Sequence, residues 1–190
     1  MLKVAKEMID EEVLMRVIEP LMKLDLAFST YCLKRHGRPA VTNVSKAVSH
    51  TGDGHLYLML GLLAWIADDG HGRLFVMTGV IAFAIELPVY WAVKNGIQRP
   101  RPQDYSPNLK AFIIPSDRYS LPSGHTAAAF LMATLIGQFY PSVYLAALIW
   151  ASLIGCSRIL LGVHFLSDVV IGAWLGVLSG LVAIWMAGGR

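Results

Sequence analysis

Charged residues are scarce in this chain of 190 residues, since Asp, Glu, Lys and Arg together make up 15% of it. Soluble domains usually carry about 25%. Hydrophobic residues reach 55%. A chain with this balance is neither disordered nor typical of a soluble enzyme. The composition therefore predicts an integral membrane protein.

Cysteine is also rare. The two cysteines, Cys32 and Cys156, provide neither a disulfide framework nor a Cys-rich metal site. The sequence has no HExxH motif. The formal net charge is only +3, and the basic residues form no stripe with interleaved aromatics. Nucleic acid is therefore not expected as a partner.

Long apolar runs are present instead, and they predict the membrane crossings. A helix needs about 20 apolar residues to cross about 30 Å of hydrocarbon. The charged stretch 1–12 is not typical of a cleavable signal peptide, so insertion is expected to use internal segments. Five crossings are predicted, at 44–67, 74–93, 122–140, 143–161 and 165–187.

The first 33 residues carry apolar side chains at helical spacing. Four charges interrupt this pattern, at Arg16, Glu19, Lys23 and Asp25. Such a segment is predicted to lie at the interface, or to form a poor first span. The fold class is therefore all-α, an integral membrane bundle of about six helices.

We divide the chain into an amphipathic N-terminal helix with its basic connection, 1–40, and a membrane core, 41–190. The core contains one long polar loop, 94–121. On the last predicted helix, Gly172, Gly176 and Gly180 are spaced four apart, which is typical of close helix packing.

Four helix ends are predicted to share one membrane face: the end of 74–93, the start of 122–140, the end of 143–161 and the start of 165–187. Four cations lie at or just after two of these ends, namely Lys94, Arg99, Arg101 and Arg158. Each could simply complement a helix dipole or reach lipid headgroups. Together they favour an anion with several oxygens.

The other two ends carry histidines. Pro122 is predicted to open a helix at Pro-Ser-Gly-His, whose free N–H groups suit a phosphate, with His125 in the first turn. His164 and Asp168 are four apart, so they should share a face. A carboxylate that binds one ring nitrogen leaves the other available as a nucleophile.

Taken together, these segments resemble the three-part signature of the type 2 phosphatidic acid phosphatase superfamily: Lys-x6-Arg-Pro, Pro-Ser-Gly-His and Ser-Arg-x5-His-x3-Asp. This sequence reads Lys94-x6-Arg101-Pro102, then 122–125, then Ser157-Arg158-x5-His164-x3-Asp168. All three parts are present in order, without departure at the signature positions.

The resemblance implies a role for each matching residue. His164 would attack phosphorus, Asp168 would orient it, and His125 would be the general acid and then the base. The phosphoryl oxygens would be held by Lys94, Arg101, Ser123, Gly124 and Arg158. The resemblance implies a reaction without a metal or a cofactor. It also implies that the substrate is a lipid phosphate or diphosphate in the membrane.

Several alternatives stay open at the level of the sequence. The substrate could be phosphatidylglycerophosphate, phosphatidic acid, undecaprenyl diphosphate or lipid A. A haloperoxidase shares the signature, but membrane composition disfavours it, and a non-enzymatic anion-binding membrane protein is disfavoured by the intact histidines.

Glu86 and Asp53 are candidate site residues without an assigned role. The resemblance favours a bacterial cytoplasmic membrane with an extracytoplasmic site, whereas Lys34, Arg35, Arg38 and Lys46 favour the opposite orientation. The sequence indicates no oligomeric state.

Overall fold

A computed structural model describes residues 20–33, 39–106 and 109–188. Within these ranges the regular structure is entirely helical. Helix α1 covers 20–33. The further helices are α2 (Pro39–His50), α3 (His55–Ala67), α4 (Gly72–Ile97), α5 (Pro102–Tyr105), α6 (Gly124–Phe139), a short 3-10 turn (Pro141–Val143), α7 (Tyr144–Leu160) and α8 (Leu166–Met186).

Three helical segments of the described chain are long and apolar enough to cross a membrane. They are Gly72–Tyr105, which contains α4 and α5, Pro141–Leu160 and Leu166–Met186. Helix α3 is apolar but has only 13 residues, which corresponds to about 20 Å. Over the described residues the protein is all-helical, and three helical segments rather than five meet the length and hydropathy expected of a full span.

The predicted helix 44–67 is wrong, because the chain is broken at 51–54 into α2 and α3. Gly54 has a φ of 90°, which an α-helix cannot contain. The region of 1–33 that includes Arg16 and Glu19 lies outside the described residues, as do Lys34, Arg35 and Arg38.

The prediction that Pro122 is the first helical residue is also wrong. Helix α6 begins at Gly124 with Ser123 as its N-cap, and Pro122 follows a cis peptide bond. The segment 94–121 is partly helical, because α4 continues to Ile97 and α5 follows. Backbone hydrogen bonds fasten the remainder to the bundle, from Phe112 N to Leu161 O (3.0 Å) and from Ser120 N to Arg99 O (2.8 Å).

Helix α6 is the centre of the bundle, where it packs against α4, α7 and α8. The closest approach is to α8, as the glycine spacing predicted. A Cβ placed on Gly176 would lie 2.1 Å from the Ala127 carbonyl oxygen, and one on Gly172 would lie 2.6 Å from the Ser123 carbonyl oxygen. Only glycine permits these contacts, so the two helices are held backbone against backbone.

Replacing Gly176 by alanine should push α8 away from α6. We expect the Gly176→Ala variant to lose about 1–3 kcal/mol of stability, as in other overpacked cores. Thermal unfolding in detergent measures this as a lower Tm. Gly96→Ala is the matched control, because a Cβ there would meet open space. Equal Tm values for the two variants would contradict the close-packing interpretation.

Candidate active site

A cavity of about 220 Å³ lies where the end of α4, the start of α6, the end of α7 and the start of α8 meet. The predicted convergence of four helix ends is therefore present in the structure. Chemically active groups line this cavity, namely Glu86, Tyr90, Arg101, Asp117, Gly124, His125, Arg158 and His164. Four of the eight predicted site residues, His125, His164, Arg101 and Arg158, thus bring ionisable side chains to one space.

His164 lies in the connection between α7 and α8 and is 3% exposed. Its Nδ1 atom is 3.7 Å from Asp168 Oδ2, which is beyond hydrogen-bond distance. Among the described residues this buried nitrogen has no hydrogen-bond partner. Burial lowers the pKa of His164 below its ordinary value, despite the nearby Asp168. The imidazole is thus neutral at neutral pH and able to act as a nucleophile.

Asp168 is fully buried in the first turn of α8. Its Oδ2 accepts a hydrogen bond from the Phe165 backbone N–H (2.8 Å), and its Oδ1 accepts one from Arg99 Nη1 (2.6 Å). The carboxylate is therefore fixed beside the ring of His164 by groups on two sides.

His125 stands in the first turn of α6 and pairs with Asp53. Its Nε2 atom is 2.7 Å from Asp53 Oδ1, while the other oxygen of that carboxylate is 2.6 Å from His50 Nδ1. Burial raises the pKa of Asp53, but hydrogen bonds from His125 and His50 outweigh it and hold the pKa below its ordinary value. An ionised Asp53 therefore faces the ring of His125. Asp53 thus contacts the predicted site residue His125, and the capping alternative is wrong, because Gly54 is the N-cap of α3.

Arg101 and Arg158 are both buried at the cavity wall. Arg101 donates to the Val163 carbonyl oxygen (2.5 Å), next to His164 in the chain. Arg158 Nη1 donates to Ser49 Oγ on α2 (2.6 Å). The Nε of Arg158 is buried and without a hydrogen-bond partner among the described residues. This side chain can therefore still bind an acceptor.

Lys94 is not among the residues that line the cavity and is 1% exposed. Its ammonium group contacts the Tyr90 hydroxyl (2.6 Å) and Asp117 Oδ2 (2.7 Å). Arg101 Nη2 binds the other oxygen of the same carboxylate at 2.5 Å. Burial raises the pKa of Asp117, but hydrogen bonds from Lys94 and Tyr90 outweigh it and lower the pKa. An ionised carboxylate thus joins two of the predicted phosphate-binding cations.

Asp117 is not predictable as a site residue from the sequence, because an acid in a polar loop has no diagnostic spacing to Lys94 or Arg101. Its only signal was that a cluster of buried cations needs a counter-charge. The fourth cation, Arg99, binds Asp168 and Asp25. Arg99 therefore does not point to the same place as the other three.

The backbone at the start of α6 completes the site. Gly124 lines the cavity, and a Cβ there would lie 3.0 Å from the ring of Tyr90. The Ser123 hydroxyl is hydrogen-bonded to Thr126 Oγ1 (2.8 Å), and the Ser123 N–H donates to the Asp168 carbonyl oxygen (3.0 Å). Ser123 thus links the starts of α6 and α8. A neutral imidazole, a second imidazole paired with an acid, and several cations can together cleave a phosphate ester.

The family model described as "PAP2 superfamily" matches residues 71–190 of this chain. The chain belongs to the PAP2 superfamily. The matched region contains all eight predicted site residues.

Two relatives of this PAP2 protein are named as phosphatases. It is 32% identical over 158 residues to the decaprenylphosphoryl-5-phosphoribose phosphatase of Mycobacterium tuberculosis, covering 80% of this chain and 84% of the relative. It is 32% identical over 110 residues to phosphatidylglycerophosphatase B of Bacillus subtilis, covering 52% of this chain and 51% of the relative.

The fold is shared with a solved structure, the transmembrane PAP2-type phosphatidylglycerolphosphate phosphatase of Bacillus subtilis. The TM-score is 0.73 at 23% identity, and the match covers 99% of this chain and 97% of the other. Membership of the PAP2 superfamily, the two relatives named as phosphatases and the apolar spans together make this protein a membrane-embedded lipid phosphatase.

The contacts of Asp117 generate a prediction about anion binding to this PAP2 enzyme. An oxyanion bound by Lys94 and Arg101 has to displace the Asp117 carboxylate. We expect Asp117→Asn to strengthen inhibition by orthovanadate about tenfold, equivalent to about 1.4 kcal/mol. Inhibition constants of purified protein measure the effect.

Asp69→Asn is the matched control, because it removes the same charge from the exposed turn before α4, at the other end of that helix. An unchanged inhibition constant in Asp117→Asn would contradict competition. Weaker inhibition would indicate that Asp117 instead holds the two cations in place for the anion.

Proposed function

We propose that the protein hydrolyses a lipid phosphate or diphosphate through a phosphohistidine at His164, without a metal. The observation that carries this proposal is one cavity lined by His164, His125, Arg101 and Arg158, with Asp168 behind the first histidine. The cations supply the positive charge that a phosphoryl group requires.

In the first step, the Nε2 lone pair of His164 attacks phosphorus, since Nδ1 faces Asp168. The bond from phosphorus to the leaving oxygen breaks, and protonated His125 donates its proton to that oxygen. The lipid alcohol, or lipid phosphate, departs. Burial and the nearby Arg158 lower the pKa of His125, and Asp53 opposes them, because its carboxylate lies 2.7 Å from the His125 ring and stabilises the imidazolium form.

In the second step, the now neutral His125 accepts a proton from water. The water oxygen attacks phosphorus and the bond to His164 breaks, so inorganic phosphate is released. His164 is again neutral and His125 is again protonated. Arg101, Arg158 and the N–H groups at the start of α6 stabilise the phosphoryl oxygens in both steps, and Lys94 joins them once the phosphate displaces the Asp117 carboxylate.

An apolar groove of about 440 Å³ lies beside the polar cavity, between α3, α4 and α6. Phe83 and Leu87 line both spaces. Because α4 is a membrane span, a lipid chain can lie in this groove while its phosphate enters the cavity. A lipid that stays in the bilayer fits this geometry.

We propose phosphatidylglycerophosphate, phosphatidic acid or undecaprenyl diphosphate as the substrate, in a bacterial cytoplasmic membrane with the site on the extracytoplasmic face. The relatives support both a glycerophospholipid and a polyprenyl carrier, since one is named for phosphatidylglycerophosphate and the other for a decaprenyl-linked phosphoribose. Lipid A is the alternative substrate.

Phosphate release from a panel of these lipids by purified protein in detergent tests the proposal. We expect at least one lipid to be hydrolysed in the presence of a chelator, and His164→Ala to lose at least about 10³-fold in kcat. Acid-quenched samples should contain an acid-labile phosphoenzyme that His164→Ala lacks. Binding of these lipids without turnover would indicate a non-enzymatic anion-binding protein and overturn the proposal.

The role of His125 predicts a dependence on the leaving group. A general acid matters most for a poor leaving group such as a lipid alkoxide. We expect His125→Ala to lower kcat about 10²–10⁴-fold with the lipid. The first step with p-nitrophenyl phosphate, read as the burst of nitrophenol, should change far less. An equal loss in both measurements would remove His125 as the acid.

A further inference from the structure

Arg99 lies behind the cavity, between two buried carboxylates. Its Nη1 atom is 2.6 Å from Asp168 Oδ1, and its Nη2 atom is 2.7 Å from Asp25 Oδ2. Asp168 is fully buried and Asp25 is 2% exposed. The single guanidinium of Arg99 thus contacts two buried carboxyl groups, and its removal leaves both without this cation.

Asp25 belongs to α1, and it also binds the first turn of α8. The Ser167 N–H donates to Asp25 Oδ1 at 3.0 Å, and the Ser167 hydroxyl donates to Asp25 Oδ2. Arg99 Nη1 donates to the same hydroxyl oxygen at 2.6 Å. Helix α1 therefore supplies a carboxylate to the N-terminal end of α8, where N–H groups lack helical partners and negative charge is favoured.

The orientation of Asp168 follows from these contacts. Arg99 holds Oδ1, and the Phe165 N–H holds Oδ2, the oxygen that faces His164. The guanidinium of Arg99 also lies 4.3 Å from the centroid of the Phe165 ring. The carboxylate cannot rotate without breaking one of these contacts.

We propose that Arg99 and Asp25 are positioning residues for the reaction, so that α1 contributes to the active site although none of its residues lines the cavity. This inference rests on the proposed function, since it acts through Asp168 and His164. Without Arg99, the Asp168 carboxylate loses its nearest cation and one of its two fixed oxygens. The imidazole of His164 then loses the orienting group beside Nδ1.

The binding of the phosphate should be spared, because Arg99 is not among the residues that line the cavity. Arg101, Arg158 and Lys94 make their contacts elsewhere, with Val163, Ser49 and Asp117. A positioning role therefore affects kcat, whereas a role in substrate binding would affect KM.

Steady-state kinetics of Arg99→Gln and Asp25→Asn test the inference, on a lipid that the wild-type protein hydrolyses. We expect each variant to lower kcat about 10–100-fold, the range found for residues that orient a reacting group. We expect KM to stay within about twofold, as for loss of a transition-state interaction alone. Arg99→Lys should lie between wild type and Arg99→Gln, because one ammonium group cannot reproduce the fork that contacts Asp168 and Asp25 together.

Arg73→Gln and Asp69→Asn are matched controls, since both residues are exposed near the opposite end of α4. They should leave kcat and KM unchanged. If Arg99→Gln does not elute as folded protein, the isosteric Asp25→Asn variant decides the outcome.

The double variant Arg99→Gln/Asp168→Asn separates this inference from the proposed function. It should be no slower than Asp168→Asn alone, because both substitutions remove the same effect. Wild-type kcat in Arg99→Gln and Asp25→Asn, or losses that multiply in the double variant, would overturn the inference. Unchanged activity in Asp168→Asn would instead overturn the role of Asp168 in the proposed function.

Discussion

The contact between the start of α6 and the start of α8 is the constraint on which the site depends. The Ser123 N–H donates to the Asp168 carbonyl oxygen, and Gly172 and Gly176 allow the two backbones to approach within contact distance. His125 lies two residues after Ser123, and His164 lies four residues before Asp168. A helix pair this close brings the two imidazoles to one cavity, and a larger residue at either glycine would separate them.

Charge compensation governs the remainder of the site. Arg101, Arg158, Lys94 and Arg99 all lie in an environment with little access to water. Three of them are accompanied by acids from distant parts of the chain, Asp117 for Lys94 and Arg101, and Asp25 for Arg99. Among the described residues, the guanidinium of Arg158 donates to the Ser49 hydroxyl, and its Nε has no hydrogen-bond partner. The cavity is therefore poised to receive negative charge on the side of Arg158.

Much of this arrangement could be predicted from sequence, because the motif residues occupy helix ends and the number of crossings places those ends on one face. In the structure, His164, His125, Arg101 and Arg158 line one cavity at these helix ends, and Asp168 lies beside His164. The backbone geometry at the helix starts is harder to predict from the sequence. Pro122 was assigned to the helix from its preference for first turns, whereas the structure gives the N-cap to Ser123.

The acidic partners could not be found from spacing. From the sequence, Asp25 is only a charge that interrupts an amphipathic segment, because its partner Arg99 is distant in sequence. Asp117 is likewise separated in sequence from its partners Lys94 and Arg101, so no spacing pattern links them. The helix 44–67 was extended across Thr51–Gly54 to reach the length of a span, although the two glycines there are a turn signal. The length of a helix does not by itself show whether it belongs to the bundle. Helix α6 has only 16 residues and is nevertheless the centre of the bundle.

The apolar groove that shares Phe83 and Leu87 with the polar cavity has a practical consequence for enzymology. It is a shape that any single alkyl chain can occupy, including that of a solubilising amphiphile. With a substrate tail in this groove, as proposed, micelle components compete with that tail, and we expect rates to follow the mole fraction of substrate at the micelle surface rather than its bulk concentration. Affinities measured for this protein will therefore be comparable only between preparations with the same surfactant and the same surface dilution.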